Sequence, residues 1–344
     1  MMRRVEKGFG AATRYYRAAV YRTHGKAEGV VRIEDVQEHD YDDLQPGQAL
    51  IKFIASPINP SDINQIEGTY AILHDLPATP GNEGVALVER VHDVDHGRLK
   101  PGQRVIPASP GLGTWRTHCK TTIDNLIVIP DDISVESAAT LAVNPVTAYR
   151  LLHDFMVLDE GSTIIQNAAN SAVGRAVIQI CKLMKVKTVN IIRDRDDFDA
   201  VSQLLTDLGA DYVLPESDFS QLKSLPKPVL ALNAVGGPSC TNLARSLCNG
   251  GQIITYGGMS RKPVTLPTGL LIFNDIVARG FWLTRCNMVA EKKEKTDILE
   301  RLTGMIRDGM LKVDTESYSF EDLGSAISRA CTGKKRAKVL LRFD

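Results

Sequence analysis

The sequence lacks the charge bias and the long apolar runs that mark several specialised protein classes. Its 344 residues carry 41 basic and 41 acidic side chains, so the formal net charge is zero. A balanced charge gives no electrostatic footprint for nucleic acid, and we expect no nucleic-acid partner. No run of 18 or more apolar residues occurs, so the sequence predicts no membrane-spanning helix and no membrane partner.

Paired cysteines are also missing. The six cysteines, at positions 119, 181, 240, 248, 286 and 331, form no C-x-x-C pair and show no spacing typical of a zinc site. Their spacing does not indicate a disulfide framework either, which favours a reduced intracellular protein.

Acidic residues are scarce at the start of the chain. Residues 1–17 contain one acid, Glu6, and the next is Glu28. The same segment has five basic residues, namely Arg3, Arg4, Lys7, Arg14 and Arg17. An acid-poor start that contains arginine predicts a mitochondrial transit segment over residues 1–17. A basic start on a cytosolic protein is the alternative.

The rest of the chain has two regions with different secondary-structure patterns, and its length suits two domains. Short β-type runs separated by Pro and Gly turns dominate residues 18–128, for example 49–54, 85–91 and 103–106. From residue 144 strands alternate with helices, and the predicted strands are 162–167, 186–192, 211–214, 229–234, 252–256 and 275–283. A charged helix after residue 289 and a strand at 338–343 end the chain. This predicts an α/β protein with a barrel-like module and a doubly wound parallel sheet.

Glycine is scarce where a dinucleotide-binding turn would normally use it. Residues 164–179 read as a strand, a turn and a helix, but Ser171 and Ala172 replace two glycines of G-x-G-x-x-G and only Gly174 remains. A helix N-terminus after such a turn offers N–H groups to a pyrophosphate. The predicted cofactor contacts here are Asn170, Ser171, Ala172, Val173 and Gly174.

The end of the next apolar run bears on which dinucleotide is bound. Arg193, Asp194 and Arg195 follow it, where a carboxylate would hold the ribose of NAD or an arginine the 2′-phosphate of NADP. Two guanidinium groups favour NADPH, because their planar fork pairs well with phosphate. A solvated charged turn is the alternative.

The predicted parts follow one another in the order found in the medium-chain dehydrogenase/reductase superfamily. A barrel-like module comes first, a Rossmann unit follows, and a C-terminal segment completes the first module. Within residues 18–344 the chain resembles the mitochondrial trans-2-enoyl thioester reductase family, and the matching segments are 58–64, 80–84, 144–149, 166–174, 193–195, 256–259 and 281–283. The resemblance implies a GroES-like catalytic domain over 18–143 and 290–344, with a Rossmann domain over 144–289. It also implies a homodimer formed through the Rossmann domain, with 275–283 at the sheet edge.

The zinc branch of the superfamily is not indicated. Zinc alcohol dehydrogenases have Cys where Asn59 stands and His where Asn82 stands, and their four-Cys lobe is missing here. Since catalytic zinc needs three N, S or O protein ligands and Asn is not a usual one, we expect no metal.

The implied reaction is the NADPH-dependent reduction of a trans-2-enoyl thioester, carried on coenzyme A or acyl carrier protein, in the mitochondrial matrix. Hydride addition at the β-carbon leaves an enolate, which needs a hydrogen-bond donor at its oxygen and a proton at the α-carbon. The resemblance points to Tyr70 as that donor. Packing of Tyr70 on the barrel is the alternative role.

The resemblance also implies the contacts of the nicotinamide half. It places Asn144 beside the nicotinamide ribose, although Pro145 after it also fits a helix cap. Lys338 would reach the cofactor phosphates, although it follows the solvated charges of residues 334–336. The residues expected to face the cofactor and the acyl channel are Tyr256, Gly257, Gly258, Met259, Phe281, Trp282 and Leu283. The glycines also suit plain turns, and the aromatics suit the core.

Two alternatives remain at the level of sequence. A quinone oxidoreductase would share the fold, the cofactor and the lack of zinc, but those relatives usually have a glycine-richer turn than residues 170–172. A protein that binds NADPH without turnover could use a surface Leu204-Leu205 pair for a partner, and the same pair fits a core-facing helix.

Overall fold

The computed structural model describes residues 15–37, 43–92, 97–332 and 337–343. Residues 1–14 of the predicted transit segment and residues 334–336 of the charged run lie outside these ranges. The strands are β1 (Tyr15–Val20), β2 (Arg32–Gln37), β3 (Gln48–Pro57), β4 (Val85–Val91), β5 (Arg104–Pro107), β6 (His118–Thr122), β7 (Leu126–Val128), β8 (Thr163–Gln166), β9 (Lys187–Ile192), β10 (Tyr212–Pro215), β11 (Leu230–Asn233), β12 (Gln252–Thr255), β13 (Val277–Gly280), β14 (Thr315–Ser319) and β15 (Lys338–Arg342).

Helices connect most of the strands in the second half of the chain. They are α1 (Ala27–Val30), α2 (Pro60–Ile66), α3 (Val135–Ala139), α4 (Asn144–His153), α5 (Ala172–Met184), α6 (Phe198–Leu208), α7 (Gly237–Ser246), α8 (Thr268–Phe273), α9 (Leu283–Val289), α10 (Lys292–Arg307) and α11 (Leu323–Cys331). No helix in the described ranges is both long and apolar enough to cross a membrane.

The predicted α/β fold is confirmed. A parallel sheet has the strand order β10-β9-β8-β11-β12-β13, and all six of its strands fall on predicted segments. The order reverses next to β8, which places a binding crevice at the carboxyl ends of β8 and β11. The dinucleotide turn follows β8 directly.

The barrel module forms a second, mixed sheet. Its order is β14-β15-β3-β4-β5-β7, with β6 paired to β3, and β1 and β2 form a separate antiparallel pair. The C-terminal strand β15 therefore returns to the N-terminal module and pairs with β3 through Leu340 to Arg342. Helix α2 interrupts the all-β structure predicted for residues 18–128, because Pro60 follows Asn59 and starts a helical turn.

The two modules share one apolar core. Ala55, Val85 and Ile106 of the barrel belong to the same buried cluster as Ile164 and Leu232 of the parallel sheet. Burial of about 25 cal/mol per Å² of apolar surface favours this continuous contact between the modules. The cleft between them is therefore lined by side chains whose relative positions the packing fixes.

Strand β1 limits the predicted transit segment. Tyr15, Tyr16 and Arg17 belong to β1, and Arg17 forms an ion pair with Glu321. Removal of residues 1–17 would delete half of this strand. A transit segment that leaves the fold intact would therefore end before Tyr15.

The Leu204-Leu205 pair lies on α6. Leu205 is fully buried and Leu204 packs against the same cluster, which also contains Val201. The core-facing interpretation of this pair is therefore the one that the structure supports.

Candidate active site

The dinucleotide turn has the geometry expected of a phosphate site. Ser171 is the N-cap of α5, and its Oγ accepts a hydrogen bond of 3.1 Å from the Gly174 amide. A Cβ on Gly174 would lie 2.4 Å from the Ala169 carbonyl oxygen, so only glycine allows this close approach of helix and turn. Ala168, before the turn, has φ +48°.

The first turn of α5 can receive an anion. The N–H groups of Ala172 and Val173, its first two residues, have no intrahelical acceptor. They carry the positive end of the helix dipole, and Asn170 precedes them in the turn. These residues fit a pyrophosphate, and their cofactor contacts stay predictions.

The predicted 2′-phosphate contacts differ in their environments. Arg193 is exposed beyond the end of β9. The Arg195 guanidinium instead faces the Asp197 carboxylate through two contacts, of which Nη2 to Oδ2 is 2.8 Å, and its side chain is only 11% exposed. Asp194 accepts a hydrogen bond of 2.5 Å from the Ser217 hydroxyl. Arg193 is therefore the more accessible of the two guanidinium groups.

Arg175 is a third basic residue at the turn, and its position in the sequence had not indicated a role. Its Nε donates to the Asn170 carbonyl at 3.1 Å, and its Nη1 pairs with Asp314 at 3.2 Å. Burial and the neighbouring Arg195 lower the pKa of Arg175. Arg175 thus anchors the turn through the Asn170 carbonyl and adds positive charge close to Arg195.

Tyr70 follows α2 in the barrel module and contacts the other module. Its hydroxyl oxygen accepts a hydrogen bond of 2.8 Å from the Trp282 indole, and Thr284 Oγ1 is 3.4 Å away. Since an indole N–H can only donate, the Tyr70 oxygen is the acceptor in this bond. Its own proton is therefore left for another acceptor, such as Thr284 Oγ1 or a bound ligand, so the hydroxyl can act as a hydrogen-bond donor.

The residues around Trp282 are placed differently from the prediction. Strand β13 ends at Gly280, so Trp282 is the residue before α9 rather than the end of a strand, and Leu283 is the first residue of α9. The extended conformation of Trp282 swings the indole toward Tyr70, at a ring separation of 6.3 Å. Phe281 is buried and meets Phe155 edge-on.

Tyr256 has a buried hydroxyl that lacks a hydrogen-bond partner of normal geometry in the described residues. Burial raises the pKa of Tyr256, and the nearby Ser171 hydroxyl opposes part of this shift. An orphaned buried hydroxyl beside the phosphate turn fits a site for a polar ligand. The loop that follows passes through Gly257 and Gly258 to Met259, which is exposed. Arg261, two residues later, pairs with Glu67 across the cleft at 3.0 Å.

Lys338 and Asn144 were predicted as separate cofactor contacts, and the structure brings them together. The Lys338 ammonium and the Asn144 amide both donate to the Asn59 side-chain oxygen, the latter at 3.5 Å. Lys338 is buried rather than solvated, because it begins β15 in the sheet interior. Asn144 opens α4 without capping it, since Val143 holds the cap position.

Comparison with known proteins identifies the family. Residues 45–131 match the model of the alcohol dehydrogenase GroES-like domain, and residues 172–302 match that of zinc-binding dehydrogenases. The chain is 47% identical to mitochondrial enoyl-acyl carrier protein reductase of Mus musculus over 86% of its own length and 80% of that protein. The chain belongs to this reductase family.

Solved structures agree with this assignment. The complex of Etr1p with NADP and crotonyl-CoA is similar at a TM-score of 0.87 and 33% identity, over 95% of this chain and 99% of that one. The mitochondrial 2-enoyl thioester reductase Etr1p/Etr2p heterodimer from Candida tropicalis is similar to the same degree, with a TM-score of 0.87, 33% identity and the same coverage of both chains.

The zinc-binding description of one matched model calls for a test of the donor set. Within the described ranges no group of three or more His, Cys, Asp or Glu side chains is arranged to hold a metal ion. The Asn59 amide nitrogen donates to Glu83 at 2.7 Å, and the Asn82 amide nitrogen donates to Asp62 at 2.5 Å. In this reductase the two positions thus serve a hydrogen-bond network and do not fit a metal.

Several polar residues near the cleft had no role in the sequence analysis. Asn167 and Asn233, at the ends of β8 and β11, are buried and joined by a hydrogen bond of 2.8 Å. Glu83 and Asn82 belong to the matched segment 80–84, but Glu83 had no assigned role and Asn82 served only to argue against zinc. One feature of the sequence could have indicated these residues. They are polar residues at the ends of apolar strands, where a buried polar group needs a hydrogen-bond partner.

Proposed function

We propose that the chain reduces the double bond of trans-2-enoyl thioesters, carried on coenzyme A or acyl carrier protein, with NADPH. The observation that carries this proposal is the Tyr70 hydroxyl, whose oxygen accepts the Trp282 indole N–H and whose own proton is left for a second acceptor. Family membership at 47% identity and the similarity to the NADP and crotonyl-CoA complex support it.

The phosphate turn and Tyr256 are proposed to bind the cofactor. Ala172 and Val173 would hold the pyrophosphate, Arg193 the 2′-phosphate, and Asn144 the nicotinamide ribose. When bound, the dihydronicotinamide supplies the hydride that adds to the β-carbon of the enoyl group. Phe281 belongs to the apolar core behind this end of the cleft, and low polarity strengthens electrostatic contacts close to it.

Tyr70 is proposed to stabilise the enolate that remains on the thioester. Negative charge develops at the thioester oxygen, and a phenol is neutral at neutral pH and can donate to it. The Trp282 N–H makes the phenol a stronger donor, because hydrogen bonds in a chain polarise one another. The α-carbon then receives a proton, either from the phenol or from water that it orients.

The proposal is tested by the rate of NADPH oxidation with a short trans-2-enoyl-CoA, measured beside a quinone at equal concentration. We expect turnover of the thioester and formation of the saturated acyl-CoA. Turnover of the quinone alone would contradict the proposal and favour a quinone oxidoreductase. NADPH binding without oxidation by either compound would favour a protein that has lost turnover.

We propose that the chain forms a homodimer through the exposed edge of the parallel sheet. Strand β13 is the last strand of that sheet, and Ala278, Arg279 and Gly280 are exposed. Beside it Ile272 and Phe273 of α8 are 65% and 80% exposed. An open strand edge next to an apolar patch suits pairing with the same edge of a second copy about a two-fold axis.

Ile272→Asp/Phe273→Asp is expected to convert the dimer to a monomer, because two charges cannot be buried in an apolar interface without partners. The molar mass by analytical ultracentrifugation should fall to that of one 37.7 kDa chain. Val157→Asp is the matched control, since Val157 is 86% exposed on the loop before β8 and should keep the dimer. A double variant that stays dimeric, or a wild type that is already monomeric, would rule out this interface.

We propose that the chain acts in the mitochondrial matrix. The names of its relatives and the basic, acid-poor N-terminus support this. A fusion of residues 1–30 to a fluorescent protein is expected to enter mitochondria, because positive charge drives import of such segments. The same fusion with Arg3, Arg4, Lys7 and Arg14 changed to Gln should stay in the cytosol. Diffuse fluorescence of the unmodified fusion would contradict the proposal.

A further inference from the structure

A cluster of buried polar side chains joins the two modules behind the proposed nicotinamide site. It combines Asn59 before α2, Glu83 before β4, Asn144 at the start of α4 and Lys338 at the start of β15. These residues are between 1% and 8% exposed. Buried charges of this kind are costly unless each has a partner. The cluster is therefore expected to serve more than packing.

The orientation of the Asn59 amide follows from the chemistry of its neighbours. Lys338 can only donate, so the Asn59 oxygen faces Lys338, and this oxygen also accepts from Asn144 at 3.5 Å. The Asn59 nitrogen then faces Glu83, to which it donates at 2.7 Å. The second Glu83 oxygen accepts from the backbone N–H of Val143 at 2.9 Å. A continuous chain of hydrogen bonds thus runs from Lys338 to the residue before Asn144.

We infer that Glu83, through Asn59, Lys338 and the Val143 amide, is the positioning residue that holds the start of α4 against the nicotinamide half of NADPH, and that only its ionised form does so. Glu83 does not reach the cleft itself and acts through Val143 and Asn144. The inference rests on the proposed function only for the identity of the ligand.

The backbone of Glu83 is held by two buried hydroxyl groups, which fix the point from which its side chain reaches Asn59 and Val143. Its carbonyl oxygen accepts hydrogen bonds from Ser56 at 2.7 Å and from Thr114 at 2.8 Å. Both carboxylate oxygens face donors. A protonated Glu83 would direct its O–H at a donor, so either the Val143 contact or the Asn59 contact would break.

The charges that face Glu83 place its titration near neutral pH. Burial raises the pKa of Glu83 to about 7, with Asp62 of α2 acting in the same direction, whereas Lys338 of β15 and the hydrogen bonds from Asn59 and Val143 oppose the shift. Asp62 is buried as well, and its pKa is raised to about 6. Because the raised pKa belongs to an acid, the holding contact is half formed at about pH 7, approaches completion by about pH 8 and is lost as the pH falls toward about 6.

The first test is the NADPH dissociation constant of the wild type as a function of pH, measured by fluorescence titration without substrate. We expect the affinity to weaken about three- to tenfold between about pH 8 and about pH 6, which corresponds to the loss of one hydrogen bond. Glu83→Gln should bind NADPH about three- to tenfold more weakly at about pH 8. Its affinity should change less with pH than that of the wild type, because only Asp62 and the 2′-phosphate of NADPH then titrate in this range. Glu160→Gln, which removes an exposed carboxylate paired with Lys185, is the matched control and should keep the wild-type profile.

The second test exchanges the hydrogen-bond donor and acceptor between positions 59 and 83. In Asn59→Asp/Glu83→Gln, the new carboxylate at position 59 accepts from Lys338, from Asn144 and from the new amide nitrogen at position 83. The amide oxygen at position 83 accepts from Val143. The double variant should return to within about twofold of the wild-type affinity, although each single change weakens binding. Its pH dependence should move to lower pH, because the carboxylate at position 59 would contact Lys338 directly.

Three results would overturn the inference: a wild-type affinity that does not change with pH, a Glu83→Gln variant that keeps the full wild-type loss of affinity in acid, or effects of the two single variants that simply add in the double variant. The wild-type titration needs no variant, so misfolding of a single variant leaves the inference testable. Because NADPH binding is measured without turnover, failure to reduce an enoyl thioester would count against the proposed function alone.

Discussion

Tyr70→Phe is expected to lower kcat for a trans-2-enoyl-CoA by about 10²–10³, the usual cost of one lost oxyanion donor, about 2.7–4 kcal/mol. The substitution removes only the hydroxyl and keeps the ring that packs edge-on against Trp282. NADPH should still bind, because the phosphate turn and Arg193 are unchanged. The measurement is single-turnover reduction at saturating NADPH, compared with the wild type.

Tyr318→Phe is the matched control for the loss of a tyrosine hydroxyl. Tyr318 lies on β14 and donates to Glu316 at 2.8 Å, away from the cleft. Its loss should leave the single-turnover rate unchanged within about twofold, since surface hydrogen bonds contribute about 0.5–1.5 kcal/mol to stability and nothing to the reacting atoms. If Tyr70→Phe also agrees with the wild type within this range, Tyr70 serves packing and the donor lies elsewhere.

Arg193→Ala is expected to weaken NADPH binding roughly tenfold to a hundredfold, because a charge-assisted phosphate contact contributes on the order of 1.5–3 kcal/mol. NADH lacks the 2′-phosphate, so its affinity should change by less than about twofold. The measurement is the dissociation constant of each dinucleotide by fluorescence titration.

Arg195→Ala provides the comparison within the same turn. The Arg195 fork already faces Asp197, so a phosphate would have to share it with that carboxylate. Because the Arg195 side chain is only 11% exposed whereas Arg193 is exposed, we expect a smaller loss of NADPH affinity than in Arg193→Ala. An equal loss of NADPH and NADH affinity in Arg193→Ala would show that this arginine supports the turn rather than reading the phosphate.

Local pattern predicted the architecture because the strands are short, apolar and separated by clear breaks. Each of the six segments from 162–167 to 275–283 coincides with one strand of the parallel sheet, and β10 alone runs one residue past its segment. Buried parallel strands are apolar on both faces, so they stand out from the amphipathic helices between them. The error lay at the end of the sixth segment, where Phe281, Trp282 and Leu283 are apolar but leave the sheet.

Contacts between distant segments were beyond the reach of local pattern. Lys338 follows three charged residues in sequence and looked solvated, yet it begins a buried strand and donates to Asn59, almost the whole chain away. The pairing of Arg195 with Asp197 is local, but no periodicity distinguishes it from a free guanidinium. Glu83 was in a matched segment, and only the packing of four segments shows what its carboxylate holds.

The transfer of deuterium from NADPH labelled at the transferring position tests the central claim most directly. In ordinary water we expect the label at the β-carbon of the saturated acyl-CoA. In a separate reaction with unlabelled NADPH in heavy water, we expect one solvent deuteron at the α-carbon. These positions follow from hydride addition and from protonation of the enolate that Tyr70 is proposed to stabilise. Oxidation of NADPH with no label in the acyl product, or label at the α-carbon, would contradict it.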